Sequence, residues 1–516
     1  MTSRNDRVKK QVSDMIGRKS VFIMLCNVIA ALIGFLALTS MTRFVGEAYG
    51  SIMWAMSFVA TFNALSDLGF SSANVKRVSE GRDPNDCLST FLTVKVGLTA
   101  VMMVATVGFL MFYTAFMGKD LYTADMPTLL LFVLYWALCN LSSVFTNTFN
   151  ARLEVSKSEA IHLIDPLIRS PVVVILAVNQ ASAAILALVY VIGALAALIV
   201  GIFMLRRSGI RFVRPTMFRS YLSFARPLII IVFFSSALAR LDVLLLGYFW
   251  NALEVGYYSS AYKLVELVLT FGTAINVLLF PTFSEWHING RYQKISDTAQ
   301  EAQRFMSMMA MPISVFLAVF AFPVAEIVFG TGYRNAGGPL MVSAIMLYVC
   351  LLIGIQSQIL LGYNRPDLSA RTQIVRLLIN IVLLVVFIPT SFFGVPMLEM
   401  KATGAAMATL ISWIALAVIV NSLTARIAGV TAYKGLWKHI LCGALTAVLI
   451  FALSILIPMT DILIMLLLAF ITVAIFLALL YLCRELRRED LEVVWNAIDP
   501  IAMYDYVRDE LKGKRR

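Results

Sequence analysis

Four charged residues stand within two long apolar runs of this chain. Arg240 and Asp242 lie in a stretch from about 227 to 247, and Lys263 and Glu266 in one from about 256 to 281, each run long enough to cross hydrocarbon as a helix. A charged side chain at the centre of a bilayer costs at least ~2.5–3.5 kcal/mol, so such groups face a bundle interior or a wet cavity and mark a functional site by default. In the second run Ser259, Lys263, Glu266, Thr270 and Thr273 recur at helical spacing on one face. That face offers a polar stripe to something other than lipid. A further run, about 159–178, carries Asp165 and Arg169 four residues apart, where they can pair along a helix, with Pro166 and Pro171 beside them. Lys95 stands about two turns inside a fourth apolar run, and Asp67 begins the sequence Asp67-Leu68-Gly69 at the end of a fifth. The chemistry these groups offer is recognition of a polar ligand. Nothing suggests a covalent step: no Walker A sequence occurs, no Asp-x-Asp lies in a sizeable loop, and no CxxC pair supports a zinc site. No cofactor is expected.

The elements that position these residues follow from composition. Of 516 residues, 60% are hydrophobic, and the mean hydropathy is +0.85. Apolar runs replace any period-two alternation, which predicts an all-α polytopic membrane protein rather than a barrel. Spans are expected at about 20–41, 48–70, 87–112, 127–149, 159–178, 182–204, 227–247, 256–281, 305–328, 337–360, 373–390, 402–422, 438–457 and 462–482, about fourteen in all. The net charge of +12 sits in short loops and the two ends, which argues for topology rather than nucleic acid. With the N-terminus inside, about 32 cations fall inside and about 4 outside. An even number of spans with both termini cytoplasmic keeps that bias along the whole chain, in a plasma or inner membrane. Residues 1–19, with six Lys or Arg, read as an amphipathic lead-in on the cytoplasmic surface. Residues 484–516 read as a cytoplasmic tail helix. Trp54, Tyr257 and Tyr258 fall near outside ends and are expected in the aromatic belt.

Gly50 to Ala55 can be laid on Gly256 to Ala261, and both segments run on to Ser-Glu, at Ser79-Glu80 and Ser284-Glu285. The offset of about 206 residues spans six helices and preserves orientation, as in parallel-repeat transporters. Two six-helix lobes are therefore expected, 20–204 and 227–422, related by an axis along the membrane normal. A basic cytoplasmic linker at 205–226 joins them, and two extra helices follow at 438–482.

The second half carries Phe329-Gly330-Thr331-Gly332-Tyr333-Arg334-Asn335-Ala336, then Leu361-Gly362-Tyr363-Asn364-Arg365-Pro366, then Asn380, Leu384 and Ile388-Pro389, then Thr403-Gly404-Ala405-Ala406. In this order, and with Asp67-Leu68-Gly69 in the first half, the series resembles the polysaccharide transporters of the multidrug/oligosaccharidyl-lipid/polysaccharide flippase superfamily. The resemblance implies a non-enzymatic flippase that moves a lipid-linked oligosaccharide by alternating access, with basic cavity residues receiving its phosphates. Arg240, Lys263 and Arg169 are the candidates for that role, with Lys95 behind them. Asp242, Glu266, Asp165 and Asp67 are the acidic groups that could neutralise them or couple a cation. Membrane lipids and glycan-assembly proteins are the other partners implied. A cation-coupled drug antiporter of the same superfamily and a non-transporting scaffold for glycan assembly are the competing readings.

Overall fold

The computed structural model describes residues 26–117, 124–152, 154–209, 211–226, 229 and 239–486. The lead-in at 1–19, the tail beyond 486 and most of the expected seventh span lie outside them. The chain is helical almost throughout. Helix α1 is Cys26–Phe44, α2 Gly46–Asn63, α3 Phe70–Ser79, α4 Pro84–Met117, α5 Met126–Ala151, α6 Val155–Val178 and α7 Ala183–Arg207. A short helix, α8, covers 218–226. There follow α9 Leu241–Phe249, α10 Ala252–Ile288, α11 Tyr292–Val319, α12 Ala321–Phe329, α13 Gly337–Gly362, α14 Pro366–Phe387, α15 Lys401–Ala428, α16 Leu436–Leu456 and α17 Ile462–Leu482. The only sheet among the described residues is a hairpin pairing Ser391–Phe392 with Val395–Pro396.

Among the described residues, eleven helices are long and apolar enough to cross a membrane. Two of the expected spans, the second and the seventh, are not continuous helices. Span two is not one helix. Leu68 and Gly69 adopt positive φ, 47° and 88°, in the left-handed region that a right-handed helix cannot contain, so α2 and α3 are separate. Span seven is not a continuous helix through Arg240 either. Arg240 has φ −124° and ψ 17° and caps α9, which begins at Leu241. Span eight lies within α10, whose 37 residues extend about 55 Å, well beyond ~30 Å of hydrocarbon. Its start is fixed by Asn251, whose side chain accepts from the Glu254 amide at 3.1 Å. The expected ninth span is also divided: α11 stops at Val319, and α12 resumes after Phe320.

Helices α4 to α7 pack on one another in the first half, and α10, α11, α13, α14 and α15 in the second. The two halves meet chiefly where α2 crosses α10 and α9. The last two helices, α16 and α17, lie against α11. The proposed repeat falls at the crossing: a Cβ at Gly50 would stand 1.8 Å from the Ala252 carbonyl oxygen, and one at Gly256 would stand 2.2 Å from the Tyr333 hydroxyl. Glycine at the first place lets α2 and α10 approach closely, and at the second it makes room for the Tyr333 ring.

Segments assigned to the same side of the membrane gather at the same end. At one end the Arg43 guanidinium donates to the carbonyls of Ile327 and Val328. Tyr333 donates to the Gly46 carbonyl at 2.6 Å, and Trp250 to that of Ile388 at 2.9 Å. At the opposite end the basic segment after α7 is laid against α4: the amides of Arg211 and Val213 donate to Asn85 and Ser89, each at 2.9 Å. Tyr221 then bonds Asn74 at 2.9 Å. Trp54, Tyr257 and Tyr258 do not form a belt. They are 4%, 9% and 2% exposed, because each hydroxyl or indole N–H has a partner inside the bundle: Leu244, Gly332 and Asp242 respectively.

Candidate functional site: a cationic cavity between the halves

A cavity of about 730 Å³ lies between the two halves, a size that accommodates a polar headgroup. Asn27, Gly34, Phe35, Leu38, Met53 and Ser57 line it from α1 and α2, and Tyr135, Trp136, Arg169 and Tyr190 from α5, α6 and α7. The second half contributes Arg240, just before α9, and Lys263, Glu266, Leu267 and Thr270 of α10. A smaller recess of about 70 Å³ shares Arg240 and Lys263 with it, and adds Asp242, Tyr258, Ser259 and Tyr262. Four of the five residues of the polar stripe on α10 therefore face these two spaces; the side chain of Thr273 is not among those described.

The cations differ in what holds them. Lys263 and Glu266 stand one turn apart, and their charged atoms meet at 2.5 Å. Both side chains remain more than 40% exposed to the open space, so the pair presents its outer donors and acceptors to whatever fills the cavity. Arg169 meets Asp165 at 3.2 Å through both Nε and a terminal nitrogen. Its guanidinium carbon lies 4.4 Å from the centre of the Tyr190 ring, a cation–π contact. The fit depends on Gly193, where a Cβ would stand 2.2 Å from the Asp165 carboxylate. Asp165 sits behind Arg169 and off the cavity wall. Arg240 is exposed to the cavity, and among the described residues no carboxylate lies within ion-pair distance of it. Asp242, two residues on, instead accepts from the Tyr258 hydroxyl and the Val243 amide. Arg240 stands just before α9 with non-helical backbone, while Asp242 in the first turn points to Tyr258 of α10.

Lys95 and Asp67 do not reach the cavity. Lys95 is 3% exposed and its ammonium lies 3.1 Å from Asp67, which also accepts from the Ser71 amide and hydroxyl. This pair closes the break between α2 and α3. Backbone groups at the break find side-chain partners: Ser66 donates to the Asn63 carbonyl at 2.8 Å and the Ser71 amide to Asp67 at 3.2 Å, while Ser66, Asn140 and Asn63 bond one another. A break at membrane depth requires such internal partners.

Sequence reasoning missed the aromatic wall. Tyr135, Trp136 and Tyr190 pack edge to face, with ring centres 5.9 Å and 5.7 Å apart, and all three line the cavity beside Arg169. In an apolar run an aromatic residue carries no signal that separates a cavity wall from a core, so only the three-dimensional arrangement reveals it.

Residues 16–287 match the family described as "Polysaccharide biosynthesis protein". The chain is 22% identical over 408 residues to a probable low-salt glycan biosynthesis flippase, Agl15, of Haloferax volcanii, covering 77% of this chain and 81% of the relative. Its fold is similar to that of the lipid II flippase MurJ in an inward closed conformation, with a TM-score of 0.70 at 15% identity, over 89% of this chain and 99% of that one. It is also similar to an inward-facing multidrug resistance MATE family transporter, with a TM-score of 0.59 at 14% identity, over 78% and 96% of the two chains. The family match takes in more than half of the sequence, from before α1 to the end of α10 and so every charged residue of the cavity: the chain belongs to the polysaccharide biosynthesis protein family.

Proposed function

We propose that this protein is a flippase that carries a lipid-linked oligosaccharide from the cytoplasmic to the outer leaflet by alternating access. The observation that supports it is the convergence of Arg169 from one half with Arg240 and Lys263 from the other on a single cavity. The sugars and phosphate of such a lipid cannot cross hydrocarbon without polar partners, while its tail stays in the bilayer. Arginine and lysine supply charge-assisted hydrogen bonds to the phosphate. Tyr135, Trp136 and Tyr190 offer flat apolar faces to the sugar rings. The named flippase relatives agree with this reading.

The end that holds Gly46, Gly50 and Tyr333 is the outer end, by the distribution of Lys and Arg, and it is closed by direct contact between α2 and α10. Opening that crossing and closing the opposite end would expose the cavity to the other side. Asp165 and Glu266 are engaged by Arg169 and Lys263. We assign any coupling cation to Asp242, the remaining acidic group of the recess. A drug antiporter for organic cations is disfavoured, because cations outnumber carboxylates on the cavity wall.

The test is translocation of a fluorescent lipid-linked sugar in proteoliposomes. Losing one charge-assisted contact of about 1.5–3 kcal/mol should lower the rate of Arg240→Ala roughly ten- to hundredfold, with the protein still folded. Normal transport by Arg240→Ala would overturn the assignment of the cavity.

A further inference from the structure

The charges around the cavity can be balanced, and the balance selects among lipid-linked sugars. Three cations face the space: Arg169, Arg240 and Lys263. Two of them are already neutralised. Asp165 holds Arg169 at 3.2 Å and Glu266 holds Lys263 at 2.5 Å. The site therefore has one cationic charge in excess, centred on Arg240. Asp242 of the adjoining recess adds one negative charge, but Arg376 of α14 lies close enough to attract it, so the two together leave the sum at one. The nearby stretches whose side chains are not all described, 227–238 and 271–278, contain no Asp, Glu, Lys or Arg, so they add nothing to the sum.

Two chemical classes of carrier differ in the charge they bring. A sugar joined to a polyprenyl chain through one phosphate is a phosphodiester with one negative charge. A sugar joined through a diphosphate carries two. A charge taken out of water must find a counter-charge or hydrogen-bond partners. The first class is matched by Arg240 alone. The second leaves a phosphate to compete with Asp165 or Glu266 for a cation already bound. Resting on the flippase reading above, we infer that this cavity is built for a polyprenyl monophosphate sugar and discriminates against the diphosphate. Glu266 and Asp165 are then specificity determinants. They do more than neutralise Lys263 and Arg169; by holding those cations they deny the second phosphate a place.

The probes are a polyprenyl monophosphate hexose and the polyprenyl diphosphate hexose of the same chain length. Each is offered to the full-length protein in nanodiscs for direct binding, and in proteoliposomes as a competitor of translocation. Wild-type protein should bind the monophosphate at least about tenfold more tightly, equivalent to about 1.4 kcal/mol. Glu266→Gln frees Lys263 and should improve diphosphate binding by about tenfold, narrowing or reversing the preference. Asp165→Asn, which frees Arg169, should act in the same direction and guards against one variant folding poorly. Equal or tighter binding of the diphosphate by the wild-type protein would overturn the inference and leave the flippase reading standing. A preference unmoved by both variants would also overturn it, since the carboxylates would then not set the selection. Binding of neither lipid would overturn the inference together with the reading beneath it.

Discussion

Gly50→Ala provides the sharpest test of how the two halves meet. At this position on α2 a Cβ would stand 1.8 Å from the carbonyl oxygen of Ala252, 2.5 Å from its carbonyl carbon and 3.2 Å from its Cα. These are backbone atoms at the start of α10, so no side-chain rotation relieves the contact. To restore even 3.0 Å, the tightest spacing real Cβ atoms show, α2 and α10 must part by about 1.2 Å at this end. The cost of such overpacking is about 1–3 kcal/mol. Only the conformation in which the crossing is closed bears it. If alternation separates this end, the open form escapes the penalty and its share rises roughly 5- to 150-fold. Alanine is also the better helix former by about 1 kcal/mol, so loss of α2 itself is not the expected outcome. The assay places one cysteine at Met53, on the cavity wall, in a background from which the six native cysteines have been replaced. A membrane-impermeant maleimide then reports access from outside. Labelling should accelerate several-fold in Gly50→Ala and be unchanged in Gly97→Ala, where a Cβ meets nothing within 4 Å. If a well-folded Gly50→Ala protein labels at the wild-type rate, the α2–α10 crossing is not the outer gate.

Lys95→Met should destabilise the protein by about 1–3 kcal/mol, because it removes the cation of the half-buried Asp67 and leaves it only its hydrogen bonds from Ser71. Lys95→Met combined with Asp67→Asn should recover most of that loss, as read by thermal unfolding in detergent and a double-mutant cycle. At the opposite end of the chain, burial tends to raise the Glu485 carboxyl, but hydrogen bonds from Lys438 and Tyr433, at 2.6 Å and 2.7 Å, outweigh it and hold the group below the usual range. A depressed pKa contributes stability above the unfolded value, near 4.5, and loses it as pH falls through the folded one. Unfolding temperatures should therefore drop more steeply below about pH 4.5 in the wild type than in Glu485→Gln, while above about pH 6 the variant should be less stable by about 1–3 kcal/mol. Gly193→Ala should push Asp165 off Arg169, costing about 1–3 kcal/mol of stability and reducing translocation.

What could be read from the chain, and what could not, divides along physical lines. Runs of apolar residues at span length report the helices because hydrocarbon thickness enforces them. The distribution of Lys and Arg reports which segments share an end. The breaks were harder. Leu68-Gly69 and Phe320 interrupt helices inside continuous hydropathy, and hydropathy does not register a change in φ. Arg240 illustrates the same limit in the site itself. Its presence in an apolar run marks it as functional, yet its place before α9, rather than within a helix, is what leaves it facing the cavity without a carboxylate. Spacing did identify the partners one turn away, Asp165 for Arg169 and Glu266 for Lys263, because helix geometry alone brings those atoms together. It could not pair Lys95 with Asp67, 28 positions apart, since that contact exists only where the break in span two turns back on α4. Residues whose partners are local were thus legible as neutralised pairs. The cation whose nearest acidic neighbour turns to another helix was legible only as a charge out of place, and that charge is the one a phosphate would meet.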